Sequence, residues 1–244
     1  MSRILALSDI HGFTAEARRL LQAAAYEPGR DKLFLLGDYI DYEPCTWSSL
    51  DEIMELTAGG AVALAGNMER HLQRHLEQEL ESRGSLDHGS SVQLQFLKRL
   101  PLHAAAGGWL FVHAGIRPGV PLERQAERDL IGIREEFWGA AEAAEAPPMH
   151  GGGTLETSGE WLPQVQIVFG HTPTHKIGAP PGELWRGPGK LGIDTGAKHG
   201  LRLTLVDLTG RKDYSCPTSP AGPGQEQAAV AINDWEAGEG DEPA

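Results

Sequence analysis

The sequence predicts an α/β fold, and three observations carry that reading. Short, almost continuous apolar runs recur along the chain. Stretches with apolar residues at helical spacing lie between the early ones, and most runs end beside a glycine. Apolar runs of four or five residues fit strands buried on both faces. Their alternation with amphipathic helices is the α/β pattern.

Taken in order, residues 3–7 form the first strand and run into Asp9-Ile10-His11. Thr14 reads as a helix N-cap, with Ala17, Leu20, Leu21 and Ala24 on one face. Residues 32–36 form the second strand, ahead of Gly37-Asp38-Tyr39-Ile40-Asp41. Ser49 opens a helical segment carrying Leu50, Ile53, Met54 and Leu56. Residues 61–64 form a third strand before Gly66-Asn67-Met68-Glu69, and residues 68–83 are helical in composition. Val92, Phe96, Leu97 and Leu100 stripe a further helix. Residues 109–112 and 165–169 are strands that run into His113-Ala114-Gly115 and Gly170-His171-Thr172. A sixth block, Asp194-Thr195-Gly196, follows later. The segment 139–159, rich in Ala, Glu, Gly and Pro, reads as a mobile loop.

The side chains that close these strands are metal donors: two carboxylates, three imidazoles and one amide. Donors at the carboxyl ends of strands collect at one rim of a sheet, where α/β proteins place their sites. A mixed N and O set suits Mn²⁺, Fe or Zn²⁺ better than Ca²⁺. Two divalent ions against Asp9 and Asp38 leave a net positive site. A phosphate is therefore attracted even though the 244-residue chain has a formal net charge of −13.

The order of these blocks resembles the calcineurin-like metallophosphoesterases, specifically the phosphoprotein phosphatase branch and its bacterial serine/threonine protein phosphatases. The resemblance spans residues 3–208. It includes residues 113–119, 129–137, 170–174 and 193–197, with Leu203-Thr204. It implies two mixed β-sheets packed as a sandwich flanked by helices, with residues 1–208 as the catalytic domain. By position it implies Asp9 and His11 on a first metal, Asp38 bridging, and Asn67, His113 and His171 on a second. A metal-bound hydroxide is then the expected nucleophile. It further implies Asp38 and Asp41 as the catalytic carboxylates, Arg134 as the phosphate-gripping arginine with Arg117 as its rival, and Asn67 as a further phosphate contact.

The chain departs from the family pattern in two places. Where the family has a His that pairs with Asp41 and protonates the leaving group, this chain has Met68. Where it has Arg-Gly after that Asp, this chain has Tyr42-Glu43. Positioned general acid catalysis is worth roughly 10²–10⁴-fold, so poor leaving groups would suffer most. His71 and His199 are the substitutes the sequence offers. Met68 also heads an apolar row with Leu72, Leu76 and Leu80, which packing alone explains.

The leading expectation is a two-metal phosphatase, with Mn²⁺ first among the ions, acting on phosphoserine, phosphothreonine or aryl phosphomonoesters. A dinucleoside polyphosphate hydrolase is the alternative within hydrolases, and a slow metal- and phosphate-binding regulatory protein is the alternative outside them. Hydrophobic content of 40% and charged content of 23% are ordinary for a soluble domain. The acidic balance argues against nucleic acid as a partner. No apolar stretch approaches a membrane span, and residues 4–7 are too short for a signal segment. Two cysteines, Cys45 and Cys216, fit reduced thiols in a cytoplasm. Residues 209–244 are polar, acidic and rich in Pro and Gly, and read as a disordered tail on which only Val230, Ile232 and Trp235 offer docking points.

Overall fold

The computed structural model describes residues 2–139, 166–218 and 229–235. The expected loop at 139–159 lies, beyond its first residue, outside the described residues.

The first half alternates as the sequence predicts. Strand β1 (Ile4–Leu7), helix α1 (Thr14–Ala23), β2 (Lys32–Leu35), α2 (Ser49–Ala58) and β3 (Val62–Ala63) come first, followed by helices α3 (Asn67–Arg83) and α4 (His88–Arg99). Strands β1, β2 and β3 pair in parallel. The Asp87 carboxylate caps α4 by accepting the Ser90 N–H at 3.0 Å. Helix α1 begins at Thr14, so Phe13 stands at the cap and no side chain bonds there.

The second half adds β4 (His103–Ala106), β5 (Trp109–Val112), the one-turn helices α5 (Glu127–Leu130) and α6 (Glu135–Trp138), and β6 (Gln166–Phe169). Strands β7 (Trp185–Gly187), β8 (Lys190–Gly192), β9 (Arg202–Asp207), β10 (Lys212–Pro217) and β11 (Ala231–Asp234) complete the order. Two mixed sheets result, with strand orders β11-β10-β9-β1-β2-β3 and β4-β5-β6-β8-β7.

Side-chain alternation along the strands builds the layers. Leu5, Leu7, Leu33, Leu35, Leu203 and Leu205 face α1–α4 in one core. Ala6, Phe34, Leu36, Phe111, Val168 and Val206 face the opposite way and glue the sheets together. Phe34 and Phe111 stack there with ring centroids 4.0 Å apart. Leu110, Val112, Ile167 and Phe169 face α5 and α6 in a third core. The architecture is the helix-flanked sandwich that the resemblance implied.

The tail expectation fails where it can be checked. The sheet continues past Leu208: β10 pairs along its whole length with β9, and β11 pairs with β10. Tyr214 and Cys216 are buried in the main core. Buried polar residues hide this strand from the sequence. Ser215 is held by Arg202, whose Nε donates to the hydroxyl at 2.9 Å. Asp213 accepts the Trp235 indole N–H at 2.8 Å. Trp235 packs against the sheet interface, with the Arg186 guanidinium 4.1 Å from its ring centroid. A domain boundary at 208 would cut through this sheet.

Candidate metal centre

Asp9 follows β1, Asp38 follows β2, Asn67 opens α3 just beyond β3, His113 follows β5 and His171 follows β6. The strands within each sheet that carry them are parallel, so one rim collects them. Turning the chain there requires unusual backbone. Asp9, His11, Asp38 and His171 adopt φ of 54°, 46°, 52° and 64°, a region costly for side-chain-bearing residues and concentrated at functional sites. Close approach fixes two glycines: a Cβ on Gly66 would lie 2.3 Å from Asp38 Oδ1, and one on Gly170 would lie 2.1 Å from Asp9 Oδ2.

Two groups of donors form. Asp9, His11 and Asp38 make one, Asp38, His113 and His171 the other, each with donor atoms within 4.8 Å of one another. Asp38 belongs to both. Its Oδ1 lies 3.4 Å from His113 Nε2 and its Oδ2 lies 4.0 Å from His11 Nε2. The shared carboxylate thus stands between the two groups.

The hydrogen bonds fit the donors to cations. His113 Nδ1 donates to the Leu36 carbonyl at 2.8 Å, leaving Nε2 as a lone pair. That lone pair faces Asn67 Oδ1 at 3.1 Å and Asp38 Oδ1 at 3.4 Å. His11 Nδ1 lies 3.2 Å from the Ile40 carbonyl, which aims its Nε2 at Asp9 and Asp38. Acceptors converge on acceptors, an arrangement that a cation resolves. Charge says the same. Burial, reinforced by mutual repulsion with neighbouring carboxylates, pushes Asp9 and Asp38 well above the usual range. Burial raises Asp194 to about 6. Burial lowers His11 and His171 to about 4, and Arg134 adds to the effect on His171. Neutral imidazoles beside crowded carboxylates are a metal-ready set.

Glu69 locks the frame. Fully buried, its carboxylate accepts the N–H groups of Asp38 at 2.8 Å, Tyr39 at 2.9 Å and Gly66 at 2.8 Å. It ties the loop after β2 to the loop after β3.

A cavity of about 220 Å³ opens over both groups and is also lined by Met68, Arg134, Lys176, Asp194, Lys198 and His199. Arg134 is thus in the cavity lining, and among the described residues it pairs with no carboxylate. Arg117 does not reach the cavity: its guanidinium grips Asp129 through two 2.8 Å bonds. Pairing at a distance of twelve residues left no sequence signal. Asp41 lies behind the lining, 3.7 Å from His11 Nδ1 and 2.6 Å from Lys198 Nζ. Met68 is buried in the main core, and its N–H donates to Asp38 Oδ1 at 2.9 Å. His71 stacks edge-on against Tyr42 with centroids 4.9 Å apart, outside the cavity lining. Sequence reasoning missed Lys176 and Lys198. Their only signal was position, shortly after the His171 and Asp194 blocks.

This geometry offers two donor groups that could each hold a metal ion, and comparison with known proteins identifies the family. The family model for calcineurin-like phosphoesterases matches residues 2–192, and the chain belongs to that family. Among curated relatives, the "Bis(5'-nucleosyl)-tetraphosphatase, symmetrical" of Aromatoleum aromaticum is 26% identical, the match covering 86% of this chain and 95% of that protein. The protein of the same description from Dechloromonas aromatica is 28% identical over 88% and 96%. A solved structure provisionally described as a diadenosine tetraphosphatase superposes with a TM-score of 0.64 at 23% identity, covering 91% of this chain and 95% of that one. The curated relatives overturn the expectation of a phosphomonoester phosphatase acting on phosphoserine, phosphothreonine or aryl esters, and with it the phosphorylated protein as partner. Among the described residues no helix is long and apolar enough to cross a membrane.

Proposed function

We propose that this protein hydrolyses dinucleoside polyphosphates, cleaving a tetraphosphate chain symmetrically into two nucleoside diphosphates. The observation that carries this is the near full-length similarity to two relatives bearing that description. The cavity supports it. Arg134, Lys176 and Lys198 surround the two donor groups, more positive charge than a single phosphomonoester calls for and well matched to a polyphosphate. Met68 supports it too. A thioether has no proton to give, and a diphosphate leaves an anhydride without needing one.

The candidate ligands are Asp9, His11, Asp38, Asn67, His113 and His171, and the mixed N and O donors suit Mn²⁺, Fe or Zn²⁺, of which Mn²⁺ is the ion to test first. Two such ions, when bound, supply Lewis-acid polarisation of phosphate oxygens and a water activated at neutral pH. The protein's own groups do the rest. Glu69 holds the Asp38 turn in place, the Leu36 and Ile40 carbonyls fix the tautomers of His113 and His11, and Arg134 orients the phosphate chain. Steady-state assays with Mn²⁺ on diadenosine tetraphosphate, an aryl phosphate and a phosphoserine peptide test the reading. The tetraphosphate should lead in kcat/KM by about 100-fold or more, equivalent to roughly 3 kcal/mol of transition-state discrimination, with nucleoside diphosphate as sole product. Faster turnover of the peptide, or release of monophosphate with triphosphate, would overturn it.

A further inference from the structure

Lys198 is not among the candidate ligands, yet it reaches the cavity over them. It stands on the one-turn segment Ala197–His199 that follows the Asp194 block. Its Nζ donates to Asp41 Oδ1 at 2.6 Å. The other oxygen of Asp41 faces His11 Nδ1 at 3.7 Å. Asp41 therefore links the first donor group to a cation. That carboxylate is well anchored: it also accepts the Tyr42 N–H at 2.7 Å, and the Asp41 N–H donates to the Thr46 hydroxyl at 2.9 Å.

An ammonium has three donors. One is spent on Asp41. The Lys198 side chain keeps 42% of its exposure while that of Asp41 keeps only 9%, and Lys198 lines the cavity, so its remaining donors are open to a ligand there. The ring of Tyr42, which also lines the cavity, lies 5.4 Å from Nζ. Long lysine stems normally scatter over many rotamers at considerable entropic cost to fix. Here the buried carboxylate has already fixed this one.

We propose that Lys198 is a phosphate clamp of this site, acting in addition to Arg134, with Asp41 as its positioning residue. Its free N–H groups bind non-bridging oxygens of the substrate phosphate held over the two donor groups. When that phosphate is part of a polyphosphate, a reading that rests on the function proposed above, the same contact steadies the negative charge that builds on the departing diphosphate. The binding half of the inference does not depend on which phosphate compound is the substrate.

The test titrates inorganic phosphate into the full-length, Mn²⁺-loaded protein by calorimetry, comparing wild type with Lys198→Gln and Lys198→Arg, with bound metal measured in each. A charge-assisted bond to phosphate corresponds to a loss of about 10- to 100-fold in affinity on Lys198→Gln. The salt dependence should weaken, metal content should stay unchanged, and Lys198→Arg should recover most of the affinity. Phosphate affinity within twofold of wild type in Lys198→Gln overturns the proposal, as does a wild type that binds no phosphate. A merely structural Lys198–Asp41 pair would change stability and leave phosphate affinity alone. If wild type fails to cleave diadenosine tetraphosphate while Lys198→Gln still loses phosphate, the function reading falls and the clamp stands. If wild type cleaves it and Lys198→Gln binds phosphate normally, only the clamp falls.

Discussion

Removing the Glu69 carboxylate should cost this protein a large part of its stability. Glu69→Ala leaves the N–H groups of Asp38, Tyr39 and Gly66 without their acceptor. All three are buried, and an orphaned buried donor costs about 1–3 kcal/mol. The sum is roughly 3–9 kcal/mol, before relaxation and entering water reduce it. The lower part of that range, about 3–5 kcal/mol, is the expected loss, against total stabilities of about 5–15 kcal/mol for folded domains. Urea unfolding followed by tryptophan fluorescence reads it directly. Glu69→Gln keeps one oxygen but turns an amide N–H₂ toward donors, so it should fall between wild type and Glu69→Ala. Because Glu69 sets the Asp38 turn, Glu69→Gln should also weaken Mn²⁺ binding while the protein remains folded. A loss below about 1 kcal/mol in Glu69→Ala, in the range of ordinary surface substitutions, would refute the reasoning.

Asp38→Asn should reduce bound Mn²⁺ from about two ions to less than one per chain, because one carboxylate serves both donor groups; elemental analysis after reconstitution that still finds two would contradict the bridge. A chain ending at Leu208 should lose cooperative thermal unfolding, since it discards β10 and β11 with the buried Tyr214 and Cys216; an unchanged melting curve would show the first sheet closes without them. Asp31→Asn should cost about 1.5–3 kcal/mol at neutral pH, because Asp31 takes two bonds from Arg3, at 3.0 and 2.6 Å, and one from the Glu27 N–H. Those bonds, Arg3 foremost, hold Asp31 below its ordinary 3.8. A depressed carboxylate stabilises the fold above its unfolded value and loses that contribution as pH falls through its folded one. The gap between wild type and Asp31→Asn should thus be level from pH 7 to about 5 and close below 3.8; a gap that does not change with pH would exclude the ion pair as its source.

Strands β1, β2, β5 and β6 could be read from the sequence because they are contiguous apolar runs with buried faces on both sides. The strands that escaped lack that signature. β4 is mostly alanine behind a histidine, β7 carries a charge and a glycine within three residues, and β10 buries Asp213 and Ser215, which only their tertiary partners explain. The candidate ligands were legible because each sits in a glycine-flanked turn after a strand. The two arginines that the resemblance offers could not be ranked by sequence: Arg134 lines the cavity, while Arg117 is held by Asp129, a partner that local spacing does not disclose. Lys198 was illegible for a related reason: a lysine in a turn looks like surface until Asp41, more than 150 residues away in sequence, is brought to it. The substrate class was not legible in the motifs: the donor blocks are common to the family, and only the near full-length curated relatives separate one substrate class from another.

The left-handed turns at Asp9, His11, Asp38 and His171 bear on any attempt to transplant this centre. Copying the six side chains onto a regular strand-and-helix scaffold would reproduce the chemistry of the donors but not their aim, because ideal backbones avoid positive φ outside glycine. The portable unit is the turn itself, together with Glu69 as its fastener and the glycines at 66 and 170 as its clearances. A recipient framework would have to carry that strain with spare stability of its own. Directed evolution for heat resistance should accordingly find gains all over this protein except at these four residues, where relaxing the backbone would raise the melting temperature and dismantle the centre in the same step.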